Sequence, residues 1–125
     1  MKLVTLVDPN LTKGLQSLMG EKLPMKAAYA VSKLARQVHK EQQGYQEARM
    51  NAIKRLASKD EKGELLIKDG QVEFEPENRE AFLKELKDLG DVEIEISPIA
   101  LDSLGDKVEI TAETMLALGE LIKVD

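Results

Sequence analysis

From Pro24 to about Lys59 the sequence holds no further proline and one glycine, Gly44. Over this stretch Ala27, Val31, Leu34, Val38, Tyr45, Ala48, Ala52 and Leu56 recur at helical spacing, with Glu41 the one polar residue in the seam. At 1.5 Å per residue, these 36 residues make a rod of about 54 Å. A compact chain of 125 residues has a radius of gyration of about 14 Å, so such a rod outruns its diameter. Either the helix breaks at Gln42-Gln43-Gly44 into an antiparallel hairpin, or it runs on and its seam needs a partner. The continuous rod is favoured. The seam keeps its phase through Gly44, and Gln-Gln-Gly lacks the proline and capping chemistry of a loop.

Shorter elements surround the rod. Leu3, Val4, Leu6 and Val7 suggest a short strand buried on at least one face. Asp8-Pro9 reads as an N-cap followed by proline in the first helical turn. Leu11, Leu15, Leu18 and Met19 then fall on one face of a short helix ending at Gly20, and Gly14 inside it costs about 1 kcal/mol relative to alanine. Leu65-Leu66-Ile67-Lys68 and Gln71-Val72-Glu73-Phe74 flank Asp69-Gly70, a favoured type I′ turn. That register places Leu65, Ile67, Val72 and Phe74 on one face, expected to be buried. Pro76 opens a helix through Phe82, Leu83, Leu86 and Leu89, closed by Gly90. Val92-Glu93-Ile94-Glu95-Ile96 alternates as a strand with one wet face. Pro98 to Lys107 reads as irregular but partly buried, and Val108 and Ile110 as a short extended piece. Thr111 caps a last helix with Met115, Leu116, Leu118, Leu121 and Ile122 on a broad apolar face. The order predicts a single α+β domain over residues 1–125: one long helix, with shorter helices packed on a small antiparallel β-sheet that contains the type I′ hairpin.

Composition excludes several kinds of function. Eighteen basic residues stand against 23 acidic ones, the wrong overall sign for neutralising nucleic-acid phosphates or an anionic membrane surface. The four aromatic rings, Tyr29, Tyr45, Phe74 and Phe82, are too few for a base-stacking platform as well as a core. Cysteine is absent, which removes disulfides, thiolate chemistry and zinc–sulfur sites. No window has the ~20 apolar residues of a membrane span. The first eight residues lack the apolar core and cleavage site of a signal peptide.

Residues with chemical potential are sparse. His39 is the only histidine, and its helical neighbours Ala35, Arg36, Gln42 and Gln43 are poor metal ligands. No serine stands in a Gly-x-Ser-x-Gly elbow, and no glycine-rich phosphate loop occurs. Glu93 and Glu95 project from one strand face beside Asp91, where they could hold a divalent cation, although the apolar–polar alternation alone accounts for them. Asp102 and Asp106 flank Gly105 without calcium-loop order. Lys33, Arg36 and Lys40 form a basic run on one helix face, loosely continued by Arg49, Lys54 and Arg55 and diluted by Glu41 and Glu47. The expected cofactor set is empty.

Three stretches carry a family likeness. They are Lys22-Leu23-Pro24-Met25-Lys26-Ala27-Ala28-Tyr29 running into Lys33-Leu34; Glu47-Ala48-Arg49 with Asp60-Glu61-Lys62-Gly63 downstream; and Val92-Glu93-Ile94-Glu95-Ile96-Ser97-Pro98-Ile99 running to Leu116-Ala117-Leu118. Through them the chain resembles a family of small uncharacterised proteins of tailed bacteriophages and prophages. The resemblance implies a phage origin, with the host cytoplasm or the virion as its location, and it carries over no site residues. Together with the residue inventory it leads to the expectation of a non-enzymatic protein working by protein–protein contact, as a virion-assembly component or adaptor. An inhibitor of a host or defence protein and a metal-dependent enzyme using Asp91, Glu93 and Glu95 are the alternatives. The expected contact surface is Tyr45, Ala48, Ala52 and Leu56, left open on the rod for another copy or a protein partner.

Overall fold

The computed structural model describes residues 1–105 and 108–124. The long helix is continuous. It spans Met25–Leu56, 32 residues or about 48 Å, and is α3 in chain order. Before it come α1 (Leu3–Leu6) and α2 (Pro9–Met19). After it come the strands β1 (Ile67–Lys68) and β2 (Gln71–Val72), then α4 (Pro76–Gly90). The chain closes with β3 (Ile99–Ala100), a 3-10 turn (Leu101–Leu104), α5 (Ala112–Leu118) and β4 (Ile122–Lys123). The fold is α+β. Two small sheets accompany the helices: the antiparallel β1–β2 hairpin and a parallel β3–β4 pair.

The core comes in two parts, both strung on α3. The larger gathers Leu3 and Leu6 of α1, Leu11, Leu15 and Leu18 of α2, and Ala27, Val31, Leu34 and Val38 of α3 with Ile99, Leu104, Leu118, Leu121 and Ile122. The smaller is built on Ile53, Ala57 and Phe82, flanked by Ala52, Leu56, Leu65, Val72, Phe74 and Leu86. Phe74 stacks on Phe82 with ring centroids 5.0 Å apart. No polar or charged side chain is buried among the described residues.

Local chemistry places several elements where the residues predict them. Asp8 caps α2, its Oδ1 accepting from the Asn10 amide at 2.9 Å. Thr111 caps α5 through a 3.1 Å bond from the Thr114 amide to its Oγ1. The hairpin pairs Ile67 with Val72 and Lys68 with Gln71, and Asp69 and Gly70 adopt φ of 53° and 77° as a type I′ turn demands. Leaving α3, the chain runs alongside this hairpin: the Leu66 amide donates to the Ser58 carbonyl, and the Ser58 amide to that of Glu73. The turn between is held by Asp60 Oδ1, which accepts from the amides of Lys62 and Glu64 at 2.8 and 3.0 Å.

Other expectations need correction. Residues 1–7 are not a strand. Met1 and Lys2 run antiparallel to residues 92–94, with the Leu3 amide donating to Val92 and the Ile94 amide to Met1. The chain then coils into α1, because Leu3 and Leu6, three apart, reach the core together while Val4 stays 50% exposed. Residues 93–96 keep their alternation, with Ile94 and Ile96 inward and both glutamates outward, while Val92, expected inward, is exposed. They form a single bridge, at Glu93, rather than a strand. A side chain supplies part of the missing pairing: Gln37 Nε2 donates to the Glu95 carbonyl at 2.8 Å. Ile67 is exposed although Leu65, Val72 and Phe74 pack on the smaller core, since it lies next to the turn, beyond the cover of α4. The long helix stops at Leu56, three residues before Lys59. The last helix stops at Leu118, and Leu121 and Ile122 reach the larger core through a 3-10 turn and β4.

Gln42 shows why the rod does not break at Gln42-Gln43-Gly44. Its Nε2 donates to the Leu6 carbonyl at 3.0 Å and to Thr12 Oγ1 at 2.9 Å. Gln42 thus satisfies the end of α1 and ties both short helices to the middle of α3.

Candidate functional site

The four residues expected to form an open patch divide between two environments. Tyr45 is half-buried against the larger core. Ala52 and Leu56 are half-buried against the smaller one, and Ala48 alone is exposed. Ile53, one position from the predicted seam, is the residue α3 buries most deeply here, at 6% exposed. It escapes a seam drawn through Ala52 and Leu56 because the seam drifts round the helix between Val38 and Ile53 as α3 passes from one core to the other.

What remains open is a groove of about 360 Å³ between α3 and α4. Ala48 and Ala52 form one wall, and Phe82, Leu86 and Leu89 the other. The small alanine side chains leave the space. Arg55 and Glu85 stand at the rim, where one guanidinium nitrogen of Arg55 donates to both carboxylate oxygens of Glu85, at 2.6 and 2.7 Å. Both side chains are exposed, so the pair marks the rim with one charge of each sign and adds little stability.

The acidic trio does not converge. Asp91 faces Lys2 Nζ at 3.5 Å, Glu93 faces the Met1 amine at 3.2 Å, and Glu95 projects outward. Among the described residues no three His, Cys, Asp or Glu side chains are grouped so as to hold a metal ion. Asp102 is exposed on the 3-10 turn, and Asp106 lies outside the described residues. His39 is exposed beside Arg36 and Lys40 in a shallow depression against Met19 at the end of α2. No described helix is long and apolar enough to cross a membrane.

A further groove, of about 1,100 Å³, runs between α2 and α5. Its charged lining is Asp8, Glu21, Glu109, Glu113 and Glu120 against Lys13, and Leu116 stands on its lip, 85% exposed. The residues give no local sign of it. The two walls come from opposite ends of the chain, and Leu116 reads as core by periodicity alone.

No protein-family model matches the chain, and neither a curated protein nor a solved structure does.

Proposed function

We propose that this is a non-enzymatic bacteriophage protein that works by protein–protein contact, as a virion-assembly component or adaptor. The phage origin rests on the resemblance of Lys22–Tyr29, Glu47–Arg49 and Val92–Ile99. The contact reading rests on the groove between α3 and α4, whose apolar walls stay open. Its dimensions suit a few side chains of a partner helix, since alanines allow helices to approach closely. The exposed Arg55–Glu85 pair gives the groove a polar rim of the kind that surrounds the apolar centre of an interface. The partner is a protein, including a second copy of the chain.

Deleting the gene from its phage tests this reading. Lysates should then hold incomplete particles by electron microscopy, restored by the wild-type chain in trans and not by a folded Ala48→Glu variant. Normal particles and an unchanged burst size in the deletion would refute an assembly role.

A further inference from the structure

Charge on this acidic protein is unevenly placed. On α3, Met25, Tyr29, Lys33, Arg36 and Lys40 recur at spacings of four, four, three and four, so 100° per residue puts them on one stripe. All five are exposed, on the side of α3 away from Ala27, Val31, Leu34 and Val38. Met25 and Tyr29 are 90% and 64% exposed, unusual for large apolar side chains with a core at hand. The stripe is about 22 Å long. The α2–α5 groove offers the opposite chemistry: an acidic lining, with Leu116 on its lip.

We propose that copies of this chain associate head to tail, the α3 stripe of one entering the α2–α5 groove of the next. The proposal deepens the protein-contact reading and rests on it. The occupant is a second copy because the chain itself carries both halves of the match: cations with exposed Met25 and Tyr29 on one surface, carboxylates with exposed Leu116 on the other. Within one copy the two cannot meet, since α2 and α3 share a core and the stripe points away from it. The net charge of −5 disfavours orientations that bring acidic surfaces together, whereas this juxtaposition sets cations against carboxylates. Unlike surfaces in contact leave a free stripe at one end and a free groove at the other, so the assembly grows beyond a dimer, as a ring or as an open chain. One helix face in one groove is a small interface, below about 1,200 Å². Its strength therefore depends on charge and fades as salt shortens the Debye length.

Sedimentation velocity across a range of micromolar concentrations, in low and in high salt, tests this. The full chain should pass beyond dimer with concentration in low salt and return to monomer in high salt. Arg36→Gln with Lys40→Gln removes stripe charge, and Glu113→Gln with Glu120→Gln removes groove charge. Each pair lies on exposed positions, and circular dichroism checks that the fold survives. Each variant alone should associate at least about tenfold more weakly. Mixed, they should stop at a dimer, because only one intact stripe and one intact groove remain. A wild-type chain that stays monomeric in low salt, or an oligomer indifferent to both variants, overturns the proposal. Either outcome leaves the particle phenotype of the Ala48→Glu phage to decide the function separately.

Discussion

A Cβ atom built on Gly14 would stand 2.9 Å from the Cβ of Ala117. The glycine that makes α2 look weak as an isolated helix is where α5 comes closest to it. Backbone approach, rather than helix propensity, decides the residue here. Packing α5 this closely brings Leu118, fully buried, into the larger core beside Leu11, Leu15 and Leu18.

Gly14→Ala sets two effects in opposition. Alanine gains about 1 kcal/mol of helix propensity. The added methyl has no rotamer by which to escape Ala117, and overpacking of this kind costs about 1–3 kcal/mol. The expected result is a net loss of stability in urea titration, partly recovered by Ala117→Gly. A Gly14→Ala protein more stable than wild type would show that α5 yields freely.

Gly44 and Gly70 should respond in opposite directions. Gly44 is helical with nothing within 4 Å of an added Cβ, so Gly44→Ala should stabilise by about 0.5–1 kcal/mol. Gly70 has φ of 77°, where a β-branched side chain costs more than the 1–2 kcal/mol or so typical of left-handed backbone. Gly70→Val should therefore loosen the hairpin, seen as lost amide protection at Ile67 and Val72. Equal effects of the two changes on thermal midpoint would contradict this assignment.

Gln42→Met keeps the bulk of the side chain and removes the donor that serves Leu6 and Thr12. Leaving a part-buried carbonyl without its partner costs about 1–3 kcal/mol. Chemical denaturation should show that loss, with a smaller one for Thr12→Val, which removes one of the two acceptors. No change in Gln42→Met would mean that water replaces the amide without penalty.

Glu93→Gln and Glu95→Gln should each leave stability within about 0.5 kcal/mol of wild type, the usual range for surface substitutions. Calcium or magnesium should not raise the melting temperature of either the wild type or the double variant. A metal-induced rise that disappears in the double variant would reinstate the acidic trio as a site.

What could be read from the residues follows the range of the interactions involved. The Asp69-Gly70 turn and the Asp8 and Thr111 caps are settled within a few positions of chain, and the structure has them, and the continuous α3, as expected. The β3–β4 pair joins Ile99 to Ile122 through two-residue strands, too short to show any periodicity. Leu3 and Leu6 suit a strand or a helical turn equally well until the core they enter is known. The candidate surface was half legible. Ala48 and Ala52 do border an open groove, while the cover over Tyr45 and Leu56 depends on where the larger core, the hairpin and α4 come to rest.

Two helices, not one, run between the two cores. On α3, Val38 belongs to the larger and Ile53 to the smaller; on α4, Leu89 packs against the larger and Leu86 against the smaller. The two helices thus tie the cores together side by side, and the exposed Arg55–Glu85 pair spans them at the surface. Bending α3 at Gly44 would work against the contacts that α4 makes with both cores. Between the two helices lies the gap lined by Ala48 and Ala52. A guest that spread this gap would work against the packing of Leu89 on one core and Leu86 on the other.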